Sequence, residues 1–372
     1  MPDSLDIQLP PDLIPPDGRF GSGPARIRQV EVEALAATGT TYLGTSHRRE
    51  GVRSVVGAIR RGLGALYRLP DGYEVLLGVG GATAFWDAAA FGLIENRSQH
   101  LVFGEFSSKF AEVTRDAPWL EEPEILEAAP GSHPVPNVDA DIDAYCLTHN
   151  ETSTGVMMPI TRPGAGSAIV LVDGTSAAGA VVVDPAEFDS YYFSPQKGFG
   201  SEGGLWVALC SPMALARIEA VATKRWVPPF LSLDIALANS RQNQTYNTPA
   251  LATLFLLQRQ IDWLLDGGGL EWAALRSRNG SQIVYDWAER SDYAAPFVAV
   301  PAQRSTTTVT IDFETAVPVA DIIDVLARHG IVDIGGYRKL GRNQLRIATF
   351  PNVGTTDLER LVGAIDFVAT RL

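Results

Sequence analysis

Short apolar runs, each ended by glycine or a polar stretch, recur through the first two thirds of the chain. The run at residues 73–80 (YEVLLGVG) is nearly continuous rather than alternating, as a strand covered on both faces requires. It leads through a glycine into residues 83–94 (TAFWDAAAFGLI), whose alanine content predicts a helix. Further strand-like runs follow at 100–104 (HLVFG), 143–149 (DAYCLTH), 168–174 (AIVLVDG), 190–194 (SYYFS) and 204–210 (GLWVALC). Helical or loop segments separate most of them, the pattern of an α/β fold with a mainly parallel sheet between two layers of helices. After about residue 260 the pattern changes. A helical stretch at 270–290 is followed by alternating STTTVTIDF (305–313), helical VADIIDVLARHG (319–330), strand-like QLRIATF (344–350) and a last helix over 356–372. The expected organisation is a proline-rich extended arm at 1–16, a large unit at 17–260 and a smaller α+β unit at 261–372.

Composition narrows the partners. The chain has 372 residues, 46% of them hydrophobic and 20% charged, enough for a large core. Its net charge of −13 argues against a nucleic-acid partner, because such binding draws most of its affinity from Lys and Arg. No apolar run approaches the roughly 20 residues of a membrane span, and the start of the sequence is acidic and proline-rich, unlike a signal or transit peptide. The expected location is the cytoplasm. Cys146 and Cys210 each sit inside an apolar run, which disfavours a disulfide, and the five histidines show no metal-ligand spacing.

Candidate chemistry lies in the loops after the strands, since open α/β sheets bind ligands beyond the carboxyl ends of their strands. After the first strand comes GGAT (80–83), where two glycines and a helix start could receive a phosphate; a plain glycine turn with Thr83 as helix cap explains the same residues. A dinucleotide loop is a rival, but GVGGAT puts Thr83 where the third glycine belongs, and no acid clearly ends the next strand. Asp173 ends the run AIVLVD, in a position that suits a turn former as well as a catalytic carboxylate. Lys197 follows the strand at 190–194, and it is one of only four lysines beside 26 arginines. Loop lysines are usually solvated charges. This one is followed by GFGSEGG, whose four glycines let a ligand approach the backbone. An amine, a carboxylate and a phosphate-binding helix end together are what pyridoxal phosphate needs.

Several blocks in order, among them DGRFGSGP (17–24), GTSHR (44–48), GGATAFWDAAAFGLI (80–94), HNETSTGV (149–156), VDGTSAAG (172–179), YYFSPQKGF (191–199), NQTYNTPA (243–250) and YRKLGRNQLRIA (337–348), resemble the phosphoserine aminotransferases, fold-type I pyridoxal phosphate enzymes, and most closely their actinobacterial form. The resemblance covers nearly the whole chain. It implies that Lys197 is the Schiff-base lysine and Asp173 the partner of the cofactor's ring nitrogen. It implies further that Ala82 and Thr83 hold the cofactor phosphate, that Phe106 stacks on the ring, and that Thr152 and Gln196 contact its hydroxyl or phosphate region. Asn247 and Thr248 would reach the phosphate in the other subunit of a homodimer with shared sites. The two substrates, phosphoserine and glutamate, are both anionic, and arginine forks suit carboxylates and phosphates. The resemblance points to His47 and Arg48 from the neighbouring subunit, to Arg338 and Arg346, and to Arg342 as an addition.

Four positions depart from the family's commoner pattern: Tyr337 stands in place of histidine, Ala82-Thr83 in place of Gly-Arg, and Phe106 in place of tryptophan. The implied reaction is reversible amino transfer between glutamate and 3-phosphohydroxypyruvate, in serine biosynthesis. Other class-V enzymes, such as an alanine–glyoxylate transaminase or a cysteine desulfurase, are the competing readings, and a dinucleotide-binding protein is a more distant one.

Overall fold

The computed structural model describes residues 7–164 and 166–372. The first six residues of the expected arm lie outside them. Seven strands form the large sheet: β1 (Glu74–Val79), β2 (Ser98–Val102), β3 (Glu124–Glu127), β4 (Ala144–Thr148), β7 (Ile169–Asp173), β8 (Ser190–Phe193) and β9 (Leu205–Cys210), in the order β1-β9-β8-β7-β4-β2-β3. A two-stranded hairpin, β5 (Asn150–Glu151) and β6 (Val156–Met157), follows β4 directly. Only β9 runs against the rest of the large sheet. The reason is local: the loop 194–204 joins β8 to β9 without a helix, and strands joined that way cannot be parallel.

The nearly continuous apolar runs are explained by burial on both faces. Val75, Val170, Val172, Tyr191, Phe193, Val207 and Leu209 point into one core, against α2 (Glu50–Leu66) and α7 (Leu251–Gly267). Their neighbours Leu76, Ile169, Leu171, Tyr192, Ala208 and Cys210 point into the other, against α3 (Ala82–Gly92), α4 (Glu105–Arg115), α5 (Pro212–Lys224) and α6 (Leu233–Arg241). A period of two thus reads as unbroken hydrophobicity. Helix α3 begins at two glycines with positive φ, Gly80 (128°) and Gly81 (96°), a conformation that a side chain would strain.

The C-terminal residues build a separate core around the antiparallel sheet β10 (Ala294–Pro296), β11 (Thr308–Phe313) and β12 (Gln344–Ala348), covered by α9 (Val319–Arg328), α10 (Thr355–Ala369) and the second half of α8 (Gly269–Arg290). Helix α8 serves both cores, with Leu270 and Ala273 in the first and Val284 and Trp287 in the second. The described part of the arm is packed: Leu9 is buried in this second core, its amide donates to His329 Nε2 at 3.2 Å, and Ile14 O accepts from Arg360 at 2.9 Å. Phe20 follows, bonded to Val332 and Ala348, so the chain crosses the small sheet before it reaches Gly23, against the stem of Lys197. Helix α1 (Gln29–Ala37) lies beyond. Among the described residues no helix is long and apolar enough to cross a membrane.

Candidate active site

A cavity of about 320 Å³ opens at the carboxyl ends of the parallel strands, where β1 gives way to Gly80, β4 ends at Thr148, β7 at Asp173, and β8 passes into Ser194. Lys197, buried to 6% exposure, enters it from the β8–β9 loop, and its Nζ donates to Thr152 Oγ1 at 2.7 Å. Backbone crowding fixes the lysine stem: a Cβ on Gly23 would stand 2.7 Å from Lys197 Cε, and one on Gly198 would stand 2.3 Å from Ala178 O. Phe106 spreads its ring 5.0 Å from the amine. Burial pushes the Lys197 amine down to about 8, against the attraction of Asp173 and with added repulsion from Arg346. It is therefore partly neutral near physiological pH.

Asp173 is held from two sides. Its Oδ1 accepts from Thr175 N at 2.8 Å and its Oδ2 from the indole Nε1 of Trp86 at 3.2 Å. Burial raises its pKa, while hydrogen bonds from Thr175 and Trp86 and the charge of Lys197 oppose the rise. At the other side of the cavity, Gly81, Ala82 and Thr83 present the start of α3, where backbone N–H groups have no partner within the helix.

The small sheet completes the wall. Arg346, on β12, donates to Thr152 O at 3.2 Å, and its buried Nε has no protein partner. Its guanidinium lies 5.4 Å from the Tyr337 ring centre, and Tyr337 meets Phe106 edge-on at 6.1 Å. Gln196, also in the lining, has a buried Oε1 without a partner. Two unpaired polar atoms beside an amine, a carboxylate, an aromatic face and a helix start fit pyridoxal phosphate, whose phosphate, ring nitrogen and hydroxyl each need such a group.

Of the residues expected at the site, Lys197, Asp173, Ala82, Thr83, Phe106, Thr152, Gln196 and Arg346 line this cavity. The others do not. Arg342 forks onto Asp312, with Nε 3.0 Å from Oδ2, and stacks 4.7 Å over Phe297. Arg338 is exposed, and its side chain makes no hydrogen bond or ion pair among the described residues, although its carbonyl accepts from Gly341 N at 3.2 Å. His47, Arg48 and Thr248 meet one another's neighbourhoods instead: His47 Nδ1 lies 3.2 Å from Thr248 Oγ1, and Arg48 donates to Gln244 Oε1 at 2.6 Å. Arg53 donates to Gln242 O and Arg60 to Asn243 Oδ1, so side chains from 47–60 hold the segment 242–248, with exposed Asn247 at its tip.

Two contributors had no isolated signal in the sequence. Glu151, fully buried, accepts from the amides of Phe106 and Ser107 at 3.1 and 2.9 Å and so anchors the helix that carries Phe106. Trp86 looked like core, as its place in an alanine-rich helix suggests, yet its N–H faces the cavity carboxylate.

A family model described as aminotransferase class-V matches residues 136–338. The phosphoserine aminotransferase of Nocardioides sp. is 53% identical over 370 residues, covering 98% of this chain and 99% of that one. Among solved structures, a phosphoserine aminotransferase from Cytophaga hutchinsonii superposes with a TM-score of 0.85 at 27% identity, over 94% of this chain and 99% of that one. The phosphoserine aminotransferase of Bacillus circulans subsp. alkalophilus shares the fold, with a TM-score of 0.84 at 22% identity over 96% and 99% of the two chains. With a buried lysine and a carboxylate lining one cavity, and 53% identity to a phosphoserine aminotransferase over 98% of its length, the chain belongs to the class-V aminotransferases, and within them to the phosphoserine aminotransferase family.

Proposed function

We propose that this chain transfers the amino group between glutamate and 3-phosphohydroxypyruvate, giving O-phospho-L-serine and 2-oxoglutarate, as a cytoplasmic homodimer that uses pyridoxal phosphate. The observation that carries the proposal is the buried Lys197 amine, lowered to about 8 and aimed into a cavity that also holds Asp173 and the start of α3. Bound pyridoxal phosphate supplies a ring that stabilises negative charge at the substrate's α-carbon.

The rest falls to the protein. Lys197 Nζ would hold the cofactor, and as a free amine it would carry the proton to and from the substrate's α-carbon, a role that suits an amine close to neutral pH. Asp173 would keep a proton on the ring nitrogen. Ala82 and Thr83 would receive the phosphate, Phe106 would offer the ring an apolar face, and Thr152 and Gln196 would serve its polar groups. Arg346, with an unpaired Nε in the wall, binds a substrate carboxylate.

Of the remaining cations, His47 and Arg48 are assigned to the neighbouring subunit's site, and Arg338 and Arg342 to the small domain of the same chain. His47 and Arg48 lie with Asn247 and Thr248 in one exposed assembly away from the cavity of their own chain, which supports their use by the neighbouring subunit. Arg338 is taken to swing onto substrate from the turn beside Tyr337. Arg342 is the weakest member of the set, because Asp312 already occupies its fork. A division into a large unit and a small one belongs to the same reading; residue 260, where it was expected, lies within α7, whose Ile261 and Leu264 still pack in the first core, and the passage to the second core falls in α8.

A cysteine desulfurase is disfavoured, since such chemistry needs a mobile thiolate. Both cysteines are buried, and burial pushes the Cys210 thiol up to about 12. The deciding experiment is a spectral titration of the purified protein with O-phosphoserine, L-alanine and L-serine in parallel. Loss of the visible band with phosphoserine at far lower concentration than with the other two is the expected result. An equal or stronger response to alanine would reassign the substrate.

A further inference from the structure

Trp86 stands one turn into the helix whose first residues, Ala82 and Thr83, line the same cavity. Its indole is 3% exposed and stacks on Phe110 at 6.0 Å with the planes 16° apart, so its orientation is set by packing. The N–H ends 3.2 Å from Asp173 Oδ2, while the other carboxylate oxygen is held by the backbone of Thr175. An indole N–H can only donate, and when buried it finds an acceptor. Conversely, a carboxylate buried this deeply needs a donor on each oxygen to stay ionised and to keep one direction.

We propose that Trp86 is a positioning residue for Asp173: its N–H fixes the rotation of the carboxylate, and through it the strength of the contact with the cofactor's ring nitrogen. One helix then serves the cofactor twice, with free backbone N–H groups at its first turn and a side-chain N–H one turn later. Phe106 fits this arrangement, because it offers a stacking face with no N–H, and the only indole lining the cavity among the described residues is Trp86. The inference rests on the reading of Asp173 as the ring-nitrogen partner.

The test compares Trp86→Phe, which keeps an aromatic ring but removes the donor along with part of the indole's volume, with Asp173→Asn and the double variant. Each is purified, checked for an unchanged melting temperature, stripped and reloaded with pyridoxal phosphate. Trp86→Phe is expected to raise the dissociation constant for the cofactor about tenfold, the worth of one hydrogen bond to a charged group. It should also move the visible absorption maximum and lower kcat by a similar factor, with KM for glutamate changed less than about twofold. In the double variant the loss should equal that of Asp173→Asn alone, because the two residues act as one unit. If Asp173→Asn impairs cofactor binding and the spectrum while Trp86→Phe leaves both unchanged, the inference is overturned and the role of Asp173 stands. If Asp173→Asn changes neither, the reading of Asp173 falls and the inference falls with it.

Discussion

The two ends of the proposed site are built to different degrees by one chain. Around Lys197 and Asp173 the chain supplies close contacts of its own: the amine rests on Thr152, the carboxylate is gripped by Thr175 and Trp86, and Glu151 fixes the helix that brings Phe106 beside the amine. The cations expected to receive substrate are scattered by contrast. Arg346 alone lines the cavity, Arg338 and Arg342 are exposed, and His47 and Arg48 sit with the segment 242–248 on another surface. A cofactor that stays bound can be met by rigid, buried groups. A substrate that must enter and leave is better met by groups at the rim, and a second copy of the chain can supply some of them.

The sharpest break of this contrast is at its rigid end. Lys197→Ala should lower turnover by at least about 10⁴-fold, with the melting temperature nearly unchanged, since the residue supplies both the attachment and the proton transfer. Multiple turnover by that variant would sink the assignment. Arg346→Ala should come next, raising KM for both substrates and cutting kcat/KM about 100-fold, the scale of losing one buried charged partner. If Arg346 proves silent in steady-state kinetics, the substrate carboxylate lies elsewhere.

The scattered end is tested by mixing subunits. Lys197→Ala and Arg48→Ala proteins, each nearly inactive alone, should regain about a quarter of wild-type activity when unfolded and refolded together, because half of the dimers are mixed and each holds one intact site. No recovery, with dimers formed, means that Arg48 serves the cavity of its own chain. A smaller effect follows from the Lys197 amine near 8. Burial disfavours its charged form, so the reactive neutral amine gains ground as pH rises, and the rate of pyridoxal phosphate uptake by stripped protein should climb about tenfold between pH 7 and 9 and then level off. A rate still rising steeply at pH 10 would mean an ordinary amine.

The smallest effect is expected at the ion pair of Glu105 with Lys339, which ties the start of α4 to the turn after Tyr337 at the cavity mouth. Both groups reach solvent, so Lys339→Ala should alter KM for the phosphorylated substrate less than about threefold at physiological salt, as stopped-assay kinetics can measure. A larger change would make the rim as rigid as the cofactor end and erase the contrast.

Most strands were legible because burial on two faces leaves a continuous apolar run, as at residues 73–80 and 168–174, whereas alanine content or a 3.6-residue stripe marked α3, α8, α9 and α10 but not the other helices. The cofactor residues were legible for a different reason. Lys197 is scarce and glycine-flanked, Asp173 ends a strand, and both lie in blocks shared with a family. Trp86 and Glu151 were not, because a tryptophan in a helix and an acid in a polar loop have many common uses, and only their partners separate one use from another. Arg342 looked like its neighbours Arg338 and Arg346 until Asp312, thirty residues earlier in the chain, took its fork across the small sheet. The chain by itself determined which segments are buried and which residues have the right chemistry, since both depend on composition and short spacing. Distances between residues far apart in sequence determined the rest. Only folding decided which oxygen Trp86 would meet, how deeply Lys197 would be buried, and which cations would be left at the surface.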